Sequence, residues 1–486
     1  MPERWRESPY HEFMTSNPPD LLRQLFDVQY RASRAQVEVP AELRRDRLQR
    51  VRVMLDRHAQ EFSKAVEADF GVRSGRLTEV ADLLVLRSLL AHSRKSLARW
   101  MRPQKVRTPL HLQPSRAYML RQPLGVVGVV APWNYPLQLA IAPAITALAA
   151  GNRVMLKPSE MTPRTSAALA ERIGQLFSTD EWAVVQGGPE VAQSFVSLPF
   201  DHLIFTGSTE VGRRVAAAAA ANLTPTTLEL GGKSPCILDP SADLESAALK
   251  IAHGKLLNAG QTCIAPDYVL VPRSQEAEFS RAYGRAVARL FPRISGNPDY
   301  ASIINPRQQA RLEALLADAV AQGARVQQLG DAGAGYFNAE GQMTPVLVLD
   351  VRADMKLMQE EIFGPILPVL PCDSLDEAIS FVNERPRPLA LYWFGRDANA
   401  QERVLANTVS GGVCINDTLM HVAHDHLPFG GVGDSGWGAY HGDAGFDRLT
   451  QSKPILVSSR WFRGDLFYPP YGPRFDRVLG LIKRLF

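Results

Sequence analysis

The chain has 486 residues, more than a single hydrophobic core takes, so two or three domains are expected. At 45% hydrophobic and 21% charged it has the make-up of an ordinary globular protein. A net charge of +4, with no basic run interleaved with aromatics, gives no case for a nucleic-acid partner.

The first residues, Met1 to Pro9, carry both signs of charge with no apolar stretch behind them, so they do not read as a secretory signal. From about Pro18 to Arg102 apolar positions recur at helical spacing, as in Leu21, Leu22, Leu25 and Phe26 and again in Ala81, Leu84, Val85 and Leu89. Pro103 to Pro114 is polar and proline-punctuated, which predicts an extended arm. The longest apolar run, Leu137 to Ala150, is interrupted by Gln138, Pro143 and Thr146 and is too short for stable membrane insertion.

From Gly125 the pattern changes. Short apolar runs at Gly125–Ala131, Arg153–Leu156, Trp182–Val185, His202–Phe205 and Thr227–Leu230 alternate with helical stretches such as Thr165–Phe177 and Val211–Ala221. Such alternation predicts βαβ units and a parallel sheet covered on both faces. After Gly232 a second set follows, with strands at Cys236–Leu238, Tyr268–Val271, Pro345–Leu349 and Pro368–Leu370 and helices near 275–290, 307–322 and 375–383. The pattern therefore predicts an α/β protein of two parallel-sheet domains plus arms. Four cysteines, Cys236, Cys263, Cys372 and Cys414, form no CxxC pair, which argues against a disulfide scaffold or zinc ribbon and fits a reducing compartment. Cytoplasm is the expected location.

Six segments carry chemistry. Cys263, flanked by Gly260, Thr262 and Ala265, is a lightly shielded thiol, suited to attack on a small electrophile. Glu229 stands beside Gly231 and Gly232, where a ligand meets no obstructing side chain. Asn134, held in Pro132-Trp133-Asn134-Tyr135-Pro136, has an amide able to donate to a developing oxyanion. Phe205-Thr-Gly207-Ser208-Thr-Glu-Val-Gly212 joins a strand to a helix whose first amides suit a phosphate, and Lys157-Pro-Ser-Glu160 ends another strand, where an acid can take ribose hydroxyls. Glu361 and Phe363 flank a turn at Gly364.

Taken together and in this order, these segments resemble the aldehyde dehydrogenase superfamily over about residues 20–470. Gln261-Thr-Cys-Ile-Ala-Pro-Asp-Tyr268, Phe429-Gly-Gly-Val-Gly433, Gly438-Ala-Tyr-His-Gly442 and Tyr468-Pro-Pro-Tyr471 resemble its class 3 branch. Gly254-Lys-Leu-Leu-Asn258 and His421-Val-Ala-His-Asp-His-Leu427 are similar to bacterial coniferyl aldehyde dehydrogenases.

The resemblance implies a Rossmann-like cofactor domain, a catalytic thiol domain and a small β-type oligomerisation arm. The expected boundaries are 1–102 and 123–231, with a return at 416–445, for the first; 232–415 for the second; and 103–122 with 446–486 for the arm and tail of a homodimer. It implies that Cys263 attacks a small-molecule aldehyde, coniferaldehyde or another aromatic or medium-chain aldehyde being favoured, while Asn134 and the Cys263 amide hold the oxyanion. Glu229 then activates the water that hydrolyses the thioester. Trp133, Lys157, Glu160, Gly207, Ser208, Gly212, Glu361 and Phe363 would hold NAD. Glu160 repels a 2′-phosphate, although the class 3 resemblance leaves NADP open. A CoA-acylating enzyme and a non-catalytic relative are the alternatives; Glu229 argues against the first, and Cys263, Glu229 and Asn134 together against the second. His421, His424 and His426 have a metal-ligand spacing, but the resemblance puts them at the substrate entrance and calls for no metal. The basic, amphipathic tail Arg474–Phe486 is expected to pack on its own domain or on a partner.

Overall fold

A computed structural model describes residues 18–330 and 335–484; the charged start of the chain and the last two residues of the tail lie outside these. From Pro18 to Trp100 the chain is largely helical, with long helices at Pro18–Ala35, Ala41–Phe70 and Leu84–Trp100. They turn Leu48, Val51, Leu55, Phe62, Leu86 and Leu97 inward, each at most 2% exposed. Helix Gln138–Ala149, buried along its whole length, lies in the same core. That explains its continuous apolar run: it has no solvent side.

A six-stranded sheet runs in the order 436–437, 226–229, 202–206, 126–130, 153–157, 182–184. All its strands are parallel except the short first one. Val126–Val130 is central and fully buried, hence Val-Val-Gly-Val-Val without polar alternation. From it the chain winds to 153–157 and 182–184 on one side and returns to 202–206 and 226–229 on the other. The winding therefore reverses between 126–130 and 202–206, and a crevice opens beyond the C-terminal ends of those two strands.

A seven-stranded sheet comes next, in the order 325–328, 346–349, 366–372, 268–272, 235–238, 390–394, 412–415. Only its first pair is antiparallel. The strands Ala390–Phe394 and Gly412–Ile415 are absent from the sequence expectation. The first is a wholly buried Ala-Leu-Tyr-Trp-Phe, whose uniform apolarity shows no period-two signal. Gly436–Trp437 returns to the first sheet beside Glu229 and Leu228.

The arm predicted at 103–114 belongs to a third, antiparallel sheet of Gln104–Val106, Arg116–Pro123 and Thr450–Val457. Its strands are largely exposed in the single chain. Helix Pro473–Ile482 forms where the amphipathic tail predicts one, and none of its side chains is buried in this chain. All four cysteines are unpaired thiols.

Candidate active site

The two large sheets meet at a cleft of about 780 Å³. Asn134, Glu229 and Cys263, from three distant stretches of chain, all line it, as do Trp133, Gly207, Ser208, Glu361 and Phe363.

Cys263 comes after a tight turn in which Asn258 and Ala259 both take φ 52° and Gly260 φ 76°. Left-handed backbone at two non-glycine residues costs about 1–3 kcal/mol each and needs outside support. Gln261 and Asn258 supply it. Gln261 Nε2 donates to Asn258 O at 2.9 Å and to Ser302 O at 3.0 Å, and its Oε1 accepts the Ile304 N–H at 3.0 Å. Asn258 Nδ2 donates to Asn134 O at 3.1 Å, which ties the thiol turn to the Asn134 loop. Asn134 Nδ2 donates one hydrogen to Gln261 O at 3.1 Å, leaving its second for a ligand. Desolvation at the cleft floor, with the negative charges of Glu361 and Glu229, pushes the Cys263 thiol up to about 12, against the backbone N–H groups of Cys263 and Ile264. The thiol therefore rests protonated and needs a base.

Glu229 ends the strand Thr226–Glu229 and is 3% exposed. Neither of its carboxyl oxygens has a protein partner, and burial raises its pKa well above the usual carboxylate range. A buried acid without a cation or N–H donor is poised to take up a proton.

The Asn134 loop is anchored from behind. Arg73, wholly buried, donates to Asn134 O at 2.6 Å and pairs with buried Asp82 at 2.7 Å; Asp82 in turn accepts the Gln138 N–H at 3.0 Å. Sequence reasoning missed this pair because it lies in the helical region, where Arg and Asp read as surface residues. It missed Gln261 for another reason: the residue was legible only as a letter next to the thiol.

Opposite, Ser208 caps helix Thr209–Ala220 through the Val211 N–H, so the helix N-terminus opens on the cleft with Thr209 and Glu210. Gly212 is buried in that helix's first turn, off the cleft, where a side chain would press into Leu230. Lys157 and Glu160 do not line the cleft; they pair with each other at 2.6 Å at the end of strand Arg153–Lys157. Glu361 is held against Gly231, where any side chain would strike its carboxylate. Burial and the Asp267 charge push Glu361 up to about 8, opposed by the Gly232 N–H, Lys233 and Arg311. Its Oε1 is buried without a partner. Phe363, at φ 52°, packs edge-on to Trp133 at 5.3 Å. The three histidines do not converge: His421 packs near Tyr392 and Phe429, while His426 meets His92 at 4.4 Å.

A sequence model of the aldehyde dehydrogenase family matches residues 18–455. The chain belongs to this family. The enzyme is accordingly an aldehyde dehydrogenase that oxidises aldehydes with NAD(P). It is 48% identical over 461 residues to a probable coniferyl aldehyde dehydrogenase of Pseudomonas aeruginosa, covering 94% of this chain and 95% of that relative. It is 46% identical over 449 residues to a coniferyl aldehyde dehydrogenase of a Pseudomonas species, covering 91% and 92%. Among solved structures, the substrate-bound state of Staphylococcus aureus AldH superposes with a TM-score of 0.90 at 37% identity, covering 95% of this chain and 99% of that one. The doubly wound architecture read from the alternating strand and helix pattern is the fold of this family.

The cleft fits a dinucleotide. It offers a helix N-terminus, the side-chain-free floor of Gly207, Gly231 and Gly232, and the orphaned Glu361 Oε1 as a hydroxyl partner.

Proposed function

We propose that this aldehyde dehydrogenase acts on coniferaldehyde or a similar aryl aldehyde and hydrolyses the product to the free acid, with Cys263 as nucleophile and Glu229 as base. The observation that carries the hydrolytic reading is the Glu229 carboxyl, buried on the cleft with both oxygens unpartnered. Only a species entering the cleft can satisfy it, and water is the smallest.

Cys263 Sγ passes its proton to water in the cleft and bonds to the aldehyde carbon, giving a thiohemiacetal whose oxyanion is held by the free Asn134 N–H and the Cys263 backbone amide. NAD, when bound, accepts the hydride that turns this adduct into a thioester. Glu229 then takes a proton from water, which attacks the thioester carbon and expels the Cys263 thiolate. Glu361 would receive ribose hydroxyls, Trp133 and Phe363 would flank the ring, and Gly207, Ser208 and the N–H groups of the adjoining helix would meet the pyrophosphate. Lys157 and Glu160 would receive the adenosine ribose after exchanging their mutual ion pair for its hydroxyls. The Glu160 carboxylate favours NAD over NADP, because it stands where a 2′-phosphate would bring negative charge.

The names carried by the two Pseudomonas relatives support coniferaldehyde as the substrate. The exposed three-stranded sheet supports a homodimer joined through 103–122 and the segment after 450, and the unpaired thiols support a cytoplasmic location. No helix among the described residues is long and apolar enough to cross a membrane. The sheets also support the division into a cofactor domain (1–102, 123–231 and 416–445) and a thiol domain (232–415).

The test is NADH appearance with coniferaldehyde and NAD in the absence of CoA, hexanal serving as the parallel substrate. Fast turnover of coniferaldehyde with little hexanal activity is expected. A preference for hexanal sinks the aryl assignment and keeps the mechanism; a strict requirement for CoA sinks hydrolysis.

A further inference from the structure

One layer behind the thiol lies a cluster of buried charge that none of these steps uses. Lys255 sits in the last turn of helix Leu244–Leu256, which leads directly into the Cys263 turn. It is fully buried, and its ammonium has no hydrogen-bond partner. The ammonium faces Asp267 Oδ1 at 3.7 Å. An isolated ammonium in a protein interior is expensive, and a methionine would fill the same space without that cost.

What Asp267 does explains why a cation stands there. Its Oδ2 takes Lys233 Nζ at 2.5 Å, and its Oδ1 accepts the Ile362 N–H at 3.2 Å. Lys233 Nζ donates onward to Leu357 O at 2.7 Å and Glu360 O at 2.9 Å. Arg311, from helix Pro306–Ala321, donates to Glu361 O at 3.2 Å and also to Ile362 O. These bonds converge on residues 357–362, the short segment that delivers Glu361 and Phe363 to the cleft. The segment needs fastening, since Phe363 is held at φ 52°, a conformation L side chains resist. It also touches the thiol turn, where a side chain at Gly260 would strike Gly364 O. Lys233, Lys255 and Arg311 stand around Asp267 and Glu361, and the Glu361 charge acts on Lys255 through the interior.

We propose that Lys255 is a positioning residue for the cofactor's nicotinamide half. Its ammonium balances the buried Asp267 carboxylate so that Asp267 can serve Lys233 and the Ile362 N–H together, and this fixes Glu361 and Phe363 in the cleft. The proposal rests on the reading of Glu361 as the ribose-binding carboxylate.

The full-length Lys255→Met variant tests it with three readouts. The first is kcat and KM for NAD. The second is cofactor-free hydrolysis of 4-nitrophenyl acetate, in which Cys263 Sγ takes the acetyl group, 4-nitrophenolate leaves, and water releases acetate. The third is the combination with Glu361→Gln. The expected result is a KM for NAD raised about tenfold, roughly one factor-of-ten step in binding, with kcat and ester hydrolysis within about twofold of the parent. The double variant should be no worse than Glu361→Gln alone, since both changes act through one carboxylate. Lys255→Arg should recover much of the loss. An unchanged KM, an equal loss in ester hydrolysis, or fully additive effects would overturn the proposal. If Glu361→Gln itself leaves the KM for NAD unchanged, the ribose assignment fails; if it raises that KM and Lys255→Met does not, only the role of Lys255 fails. Should Lys255→Met not fold, Lys255→Gln, neutral but polar, takes its place in the same comparisons.

Discussion

The two walls of the cleft are built from opposite ends of their strands. The six-stranded sheet presents residues at the C-terminal ends of its strands: Trp133 and Asn134 after Val126–Val130, Gly207 and Ser208 after His202–Thr206, and Glu229 with Gly231 at the end of Thr226–Glu229. The seven-stranded sheet presents residues at the N-terminal ends: Lys233 before Pro235–Leu238, Cys263 before Tyr268–Pro272, and Glu361 with Phe363 before Ile366–Cys372. The first wall is the usual ligand edge of a doubly wound sheet. The second is not, and its Glu361 segment is fastened with buried charge where the first wall presents a helix N-terminus. The contrast separates two demands. Both Glu229 oxygens are left without a partner, whereas Glu361 stands on a segment tied down by Lys233, Asp267 and Arg311.

The contrast can be broken in order of expected effect. Cys263→Ala removes the covalent step and should lower kcat by about 10⁴-fold or more, read as NADH formation with saturating NAD. Glu229→Gln should spare the first half-reaction and cripple the second. Rapid mixing should then give a burst of one NADH per active site, with steady turnover afterwards about 10²–10⁴-fold slower. If the burst is lost along with the steady rate, Glu229 does more than activate water.

On the first wall, Arg73→Met strands buried Asp82 and releases the Asn134 carbonyl. The expected cost is about 3–5 kcal/mol in urea unfolding, because one partner of a buried ion pair is left uncompensated. Asn134→Ala removes a single oxyanion donor and should cost about 10²–10³ in kcat with little change in the KM for NAD. A larger rise in that KM than fall in kcat would move Asn134 from the oxyanion to the cofactor.

The smallest effect is on stability against pH. Burial holds the Glu229 carboxyl well above its ordinary 4.5 in the folded protein. The folded state therefore binds the proton more tightly than the unfolded state does. The stability contributed by that proton is complete below pH 4.5 and lost as pH rises through the folded-state value. Glu229→Gln has no such loss. Its melting temperature relative to the parent should climb as pH rises above about 4.5, and a flat difference would mean that water or a cation already satisfies the carboxylate.

The same division between the two walls governs how much was legible in the chain. Val126–Val130 and His202–Thr206 read as buried strands because fully covered parallel strands are uninterrupted apolar runs. Ala390–Phe394 has the same character and is bounded by Pro388 and Gly395, so it is equally open to that reading. The thiol, Glu229 and Asn134 stand out because each sits in a run of small or restrained residues whose chemistry is local. By itself the sequence determined the class of fold and the family and singled out Cys263, Glu229 and Asn134, since propensity, patterning and short motifs act over a few residues. Only the tertiary structure decided that Lys157 pairs with Glu160, that Gly212 serves packing against Leu230, and that Arg73, Gln261, Lys233, Lys255 and Asp267 stand around the site. These are side chains of ordinary polar type whose meaning comes from burial and from partners that in most cases stand far away along the chain. No pattern along the chain records who will face whom once two sheets close on one cleft.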